Sequence, residues 1–482
     1  MKKYKQFVFI ILIFISACYA FDSNPDQQVV EAYEQQGSIV KSELPINIYL
    51  PAILNGYPPH TILGAQLETI TAANGLLEMA EAGNRWTRRD FLWRLVEPTK
   101  GQRNWDAVKY YEDELINASQ NNLNVILILM STPEWAQFPG YTCGGKIKPE
   151  EISAYANFMY DLVRRYSKPP YNVKYYELWN EPDVRDILGC WADPEDPNYY
   201  GGKAYGEMLK VVYPAIKAAD PEAQVLVGGL LLDCDPNLTF ENKTCTPAYY
   251  LRGILEAGAK NSFDGVAFHS GDYYMGEVGK FHSPNFGATW DTTGPSTNPK
   301  AKFLKNELAR YGAQDRYLVN TESGLACVGT DTECTSPTYG YEETKTYYFV
   351  QNGVSAMANG YKANIWFSVY GDNANNNRSG ILTRENEPRP IYYTFDFMTE
   401  ALANYSFGRY VDLGENIRAY EFLSPSEKKQ WVVWSLNGLN QTINLTTSPY
   451  SIYKISNTGQ PVQIENSQVI EIGLAPVFIK FN

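Results

Sequence analysis

Two glutamates stand where β-prone runs end. One lies in Tyr175-Tyr176-Glu177-Leu178-Trp179-Asn180-Glu181-Pro182-Asp183, the other in Tyr317-Leu318-Val319-Asn320-Thr321-Glu322-Ser323-Gly324. Pro182 has no N–H to give a sheet ladder and disfavours helical geometry at the residue before it, so the first segment should end its strand with Glu181 extended and held on a rigid rim. Ser323-Gly324 opens an exit loop behind Glu322 in the same way. A fixed pair of carboxyls can divide acid, base and nucleophile roles between them. The plain alternative for either glutamate alone is a rim carboxylate paired with an arginine. The three histidines, His60, His269 and His282, form neither an HxH nor an HExxH pattern, so no catalytic metal and no cofactor is expected.

Such residues need elements to position them. After residue 58, short apolar runs alternate eight times with amphipathic stretches. The expected strands are Thr61–Leu67, Arg85–Phe91, Asn124–Met130, Val173–Leu178, Gln224–Gly229, Gly265–His269, Tyr317–Thr321 and Ala363–Val369. Helices are expected at Trp105–Asn121, Glu151–Arg165, Ala204–Ala219, Ala301–Tyr311, Glu343–Asn359 and Ile391–Ala403. Eight alternating units predict an α/β chain with a (β/α)8 TIM barrel over 59–404, which puts Glu181 and Glu322 on the catalytic, C-terminal face. From residue 405 to 482 the texture changes to short alternating runs divided by Gly, Asn, Ser and Pro, predicting a small C-terminal antiparallel β domain.

Taken together these segments resemble the retaining glycoside hydrolases of the 4/7 superfamily (clan A), with Trp179-Asn180-Glu181-Pro182 as the most recognisable match; families 39 and 5 are the nearest in pattern. The resemblance covers about residues 60 to 404. It implies Glu181 as acid/base and Glu322 as nucleophile, with carboxyls about 5 to 5.5 Å apart. It also implies Asn180 on a sugar hydroxyl, and Arg88, in Trp86-Thr87-Arg88, holding the nucleophile ionised by lowering its pKa. Strand alternation allows only one of Arg88 and Arg89 to face inward. His269 matches a histidine of the group, but where the group has a tyrosine two residues later this chain has Gly271, leaving Tyr273 or Tyr274 to reach the site; Tyr273 is the candidate carried forward. Trp366 matches the tryptophan that floors the sugar subsite, and Trp135 an aromatic after strand three. Packing in the core is the alternative for both tryptophans.

The composition fits a carbohydrate binder. The chain carries 37 Tyr and 10 Trp among its 482 residues, and sugars stack their C–H faces on such rings, although an aromatic-rich core would use them equally. A net charge of −13 argues against nucleic acid, whose phosphates demand clustered cations. Lys2, Lys3 and Lys5 precede an apolar run from Phe7 to Ala17, too short to span a bilayer and suited to an export signal over 1–20. Ile15-Ser16-Ala17-Cys18 resembles a bacterial lipobox, so a lipoprotein signal over 1–17 with membrane attachment through lipidated Cys18 competes with ordinary cleavage after Ala20. Residues 21–58 read as a linker. Six further cysteines suit an oxidising compartment, and local spacing favours the pairs Cys143–Cys190, Cys234–Cys245 and Cys327–Cys334.

The expectation is therefore an exported, monomeric, retaining glycosidase acting on a β-linked glycan by double displacement. The alternatives are a transglycosylase with the same covalent intermediate and a catalytically silent surface glycan-binding protein.

Overall fold

Short runs, densest in Val, Ile and Leu at the third and fifth, form eight parallel strands. The computed structural model describes residues 60–138, 144–184, 189, 191–236, 239–240, 243–282, 290, 294–327, 334, 340–371 and 379–482. The strands are β1 (Leu63–Ala65), β2 (Trp86–Leu92), β3 (Asn124–Met130), β4 (Tyr175–Asn180), β5 (Gln224–Leu230), β6 (Gly265–Tyr274), β7 (Tyr317–Ala326) and β8 (Asn364–Trp366). Their hydrogen-bonded order is β1-β8-β7-β6-β5-β4-β3-β2, and the ring closes where the Arg85 N–H donates to Leu63 O at 3.4 Å and the Leu67 N–H to Thr87 Oγ1 at 3.1 Å. Gly64 is required at this seam, since a Cβ there would lie 2.5 Å from Trp86 O.

The crossover helices are α1 (Leu76–Glu81), α2 (Lys109–Gln120), α3 (Ile152–Tyr166), α4 (Gly202–Ala219), α5 (Tyr250–Glu256), α6 (Thr297–Arg310), α7 (Gly340–Ala358) and α8 (Pro390–Ala401). Neither α1 nor α5 was among the expected helices, because at 6 and 7 residues each is too short to show a helical period. Between strands and helices lies the main core, while a separate apolar layer of Trp86, Ile126, Leu226, Ala267, Val319, Ala363 and Ile365 plugs the barrel interior. That plug leaves the C-terminal ends of the strands as the place for polar side chains.

Residues 406–480 form an antiparallel domain: β9 (Ser406–Tyr410), β10 (Ile417–Leu423), β11 (Lys429–Ser435), β12 (Gln441–Asn444), β13 (Ser451–Ile455), β14 (Pro461–Ile464), β15 (Val469–Ile472) and β16 (Val477–Lys480). Six pair in the order β9-β10-β11-β16-β13-β14, and β12 pairs β15 alone. Alternation along β11 sends Val433 into the domain's own core with Ile443, Ile452 and Ile470, while Val432 and Trp434 join the barrel's core from the opposite face. Helix α7 is consequently buried nearly all round, with Ser355 Oγ 3.3 Å from Tyr420 OH.

The Cys234–Cys245 and Cys327–Cys334 disulfides are formed, in the loops after β5 and β7. Cys143 and Cys190, the export signal, Cys18 and the whole of the linker fall outside the described residues. No helix among the described residues is long and apolar enough to cross a membrane.

Phe478 of β16 is fully buried and meets Phe397 of α8 edge to face at 5.0 Å. Phe478→Ala should lower the unfolding free energy by about 3–5 kcal/mol and keep a single transition. Chemical denaturation showing an unchanged midpoint, or residues 405–482 melting apart from the barrel, would contradict this packing.

Candidate active site

Period-two alternation carries Trp86 into the plug and Arg88 into the space above it, and sends Arg89 outward to a bidentate pair with Glu114 of α2 at 2.7 and 2.8 Å. The guanidinium of Arg88 is buried and almost fully used. Its Nη1 donates to Glu322 Oε1 at 2.5 Å, Nη2 to Glu177 Oε1 at 2.7 Å and to Asn180 Oδ1 at 2.8 Å, and Nε to Glu177 Oε2 at 3.1 Å.

Simple alternation does not bring Asn180 or Glu322 to that cation. On β4, Glu177 faces inward, so Asn180, three residues on, should face out. Trp179 has φ +81, which turns its own ring outward against Trp191, 5.7 Å away, and resets the phase so that Asn180 and Glu181 both reach the mouth. Glu181 itself has φ +44 rather than the extended geometry expected before Pro182; its N–H still donates to Gly229 O at 3.0 Å, so sheet pairing and the inward turn of the carboxyl outweigh the local preference. On β7 a register slip between Asn320 and Glu322 does the same work: Val319 lies in the plug, and Glu322, an odd number of residues later, is paired beside His269 in the mouth.

Glu181 is 2% exposed and His269 3%. His269 Nδ1 lies 2.9 Å from Glu181 Oε1 and 3.6 Å from Glu322 Oε2. With carboxyl oxygens on both sides, Nδ1 is assigned the ring proton. Burial and the charges of Arg88 and Lys300 push the imidazole well below its usual pKa, so it is neutral. Gly229 makes room for it, since a Cβ there would sit 2.2 Å from Nε2. His269 thus bridges the two carboxyls instead of lining an open subsite.

One donor oxygen of Glu181, one of Glu322 and the His269 nitrogen all lie within 4.8 Å of one another. Such a triad resembles a set that could hold a divalent cation, but Arg88 already brings positive charge to Glu322. Burial raises both carboxyls. Arg88 opposes that rise at Glu322, whereas the charges of Glu322 and Asp183 push Glu181 higher still, so a proton shared by the pair resides on Glu181. The expectation that Arg88 would hold Glu322 below the ordinary range is corrected: burial outweighs a cation divided between Glu322 and Glu177. Glu181 Oε2 is buried and has no hydrogen-bond partner among the described residues, so it is the carboxyl oxygen left free of the His269 contact.

Beneath the site, Lys300 of α6 donates to His269 O at 2.9 Å and Leu231 O at 2.8 Å, its pKa pushed down to about 8 by burial. Asp183 accepts from the Leu231 and Leu232 N–H groups at 2.9 Å each, tying the exits of β4 and β5 together; burial pushes it up to about 6. Glu177 and Lys300 were not singled out in the sequence, although a charge inside a strand, and a lysine four and eight residues before Leu304 and Leu308 on a buried helix face, were available signals.

The aromatic candidates divide. Tyr273 shares the inward face of β6 with His269, while Tyr274 turns to Tyr341 of α7 at 5.6 Å. Trp366 is not at the mouth: Ile365 occupies the inward position, so Trp366 points outward, 1% exposed, against Phe349 at 5.6 Å, and its N–H donates to Ser379 O at 2.8 Å. Period two gives the inward position to half-buried Phe367 instead. Trp135 is half-buried on the rim, stacked edge-on to Trp93 at 5.3 Å, with its N–H donating to Glu97 O at 3.0 Å.

No family model matches the sequence, and no curated protein matches it. Solved structures do match. A family 39 glycoside hydrolase from the gut symbiont Bacteroides cellulosilyticus superposes with a TM-score of 0.67 at 17% identity, covering 88% of this chain and 81% of that one. A family 30 endoxylanase from Clostridium papyrosolvens gives 0.57 at 13% identity over 89% and 98%. An endo-β-1,6-glucanase gives 0.56 at 13% identity over 88% and 92%. Likeness at such identity is likeness of fold: the chain has the (β/α)8 barrel and C-terminal β domain of these structures.

Removing the buried cation tests the site's electrostatics. Arg88→Leu strands Glu177 and Glu322 without a counter-charge and should cost about 3–5 kcal/mol of stability. Both carboxyls then have folded pKa values raised further above their unfolded ones, so stability is present at low pH and lost as pH rises through the folded values. The deficit against wild type should be larger at pH 8 than at pH 5. Denaturation curves with a deficit independent of pH would contradict the assignment.

Proposed function

We propose that the chain is a retaining glycoside hydrolase acting on β-linked poly- or oligosaccharides. The observation that carries this reading is the pair of buried carboxyls with oxygens within 4.8 Å, one bonded to a guanidinium and one carrying the proton. Oxygens this near suit direct attack on carbon, whereas an inverting pair must leave room between its carboxyls for a water. The fold is shared with a family 39 glycoside hydrolase, an endoxylanase and an endo-β-1,6-glucanase, which supports a glycan substrate.

In the proposed reaction Glu322 attacks the anomeric carbon while Glu181 Oε2 protonates the departing glycosidic oxygen. Glu181, now a carboxylate, then takes a proton from water as that water attacks the glycosyl-enzyme and releases Glu322. Arg88 keeps its bond to Glu322 in the free enzyme and after release. Neutral His269 donates to Glu181 Oε1 and leaves Oε2 to deliver the proton. Asn180 is held by Arg88 through its oxygen, which directs its amide nitrogen at a sugar hydroxyl beside the reacting carbon. Tyr273, Phe367 and Trp135 supply ring surface around the mouth. Export into an oxidising compartment accords with the two disulfides formed.

Product analysis on β-glucan, xylan and mannan should find one that wild type cleaves and Glu322→Gln does not. Binding without turnover on every glycan would favour the silent glycan-binding protein. Both carboxyls are raised, so the acid limb of kcat/KM, where Glu322 must lose its proton, should lie above the ordinary carboxylate range, and activity should fall at higher pH as Glu181 loses its own. Glu181→Gln should slow natural glycans by about 10²–10⁴-fold while sparing activated aryl glycosides and abolishing the alkaline limb. An alkaline limb that persists unchanged in this variant would remove Glu181 from the acid role.

A further inference from the structure

Between α6, the residue following α7 and strands β9 and β10, a cleft of about 390 Å³ opens. Three cations converge there, Lys302, Lys305 and Arg418, and no carboxylate lines it, in a chain whose net charge is −13. Neither Lys302 nor Arg418 is paired with an acid among the described residues. Such a local excess of positive charge within an acidic molecule focuses the field on one small anionic group and does not follow from the overall composition.

The cleft is also built. Lys305 Nζ donates to Asn359 O at 2.7 Å, Asn359 Nδ2 to Asn298 Oδ1 at 2.9 Å, and Asn298 Nδ2 to Ser355 Oγ at 3.1 Å, with Ser355 next to Tyr420 OH. These bonds tie the α6 and α7 sides to the β domain, so the polar floor is ordered before any ligand arrives. Tyr410 lines the cleft with 54% of its surface exposed, its ring 5.1 Å from those of Tyr420 and Phe407, and Tyr420 packs in turn on Trp434 at 5.5 Å. A supported ring more than half exposed can accept the C–H side of a pyranose, and the size suits one or two sugar units, well short of a nucleic-acid groove.

We propose that this cleft binds a uronic acid unit of a glycan, the pyranose lying on Tyr410 and its carboxylate held by Arg418 and Lys302. The site uses neither Glu181 nor Glu322 and extends the proposed function by an acidic sugar recognised apart from the bond that is cut.

The test uses the full chain carrying Glu322→Gln, so that no outcome depends on turnover. Calorimetric titration with hexagalacturonate should show binding that Arg418→Gln and Tyr410→Ala each weaken about tenfold or more, and that weakens as salt is raised, whereas xylohexaose binding should be the same in all three proteins. Tyr410 is exposed and Arg418 half-buried, and thermal midpoints would verify that both variants fold. Absence of hexagalacturonate binding, binding unchanged in both variants, or equal loss toward xylohexaose would each overturn the proposal.

Discussion

Everything in the barrel mouth depends on one buried cation. Arg88 reaches β4 through Glu177 and Asn180 and β7 through Glu322, so a single guanidinium fixes three side chains on two strands to a fourth position on β2. Leaving water costs such a group several kcal/mol, which its charged bonds must offset, and a lysine, a point charge without the planar fork, could not make this set of contacts. Glu177 takes two of those bonds and the Gly229 N–H at 2.8 Å, acting as the permanent counter-ion. Glu322 is then held by what remains of the cation, tightly enough to be oriented and loosely enough to stay basic.

Local backbone rules are broken around that cation. Positive φ at Trp179 and Glu181 and the register slip in β7 each cost conformational energy: the two turns on β4 bring Asn180 inward while keeping Glu181 there, and the slip moves Glu322 from the face that alternation would assign to the face where Glu181 lies. Small residues and buried polar groups support the distortion: Gly229 leaves room for His269, Asp183 clamps the loop after β5, and Lys300 holds the carbonyls of Leu231 and His269 from behind. Local consistency is given up along this rim, where Ser131 after β3 and Leu232 after β5 also have positive φ, as expected of a site and not of a scaffold.

The same breaks explain what could be read in advance. Eight strands, their order and the change of texture after residue 404 were legible because the period of apolar residues survives in β2 to β7. Glu181, Glu322 and Arg88 were legible because strand-end charge is conspicuous. Glu177 escaped notice because it precedes the more recognisable Asn180-Glu181 and alternation alone could not reveal that both sets face inward. The outward turn of Trp366 was misjudged because β8 is only three residues long, too short to show its phase, although Ile365 in the plug settles it. Lys300 sits on the buried face of α6, where only the packed structure reveals the carbonyls that satisfy it. Extended geometry at Glu181 failed for another reason: the preference of a residue before proline is weaker than the combined pull of sheet pairing and the His269 contact.

The central claim is that two carboxyls this close perform two successive displacements at one carbon. Proton NMR of the first product released from a glycan of known linkage tests it most directly. Two inversions return the anomeric configuration of the bond that was cut, so the account predicts a first-formed β product from a β-linked substrate. An α anomer formed first would mean that water, and not Glu322, attacks carbon, and would contradict the account.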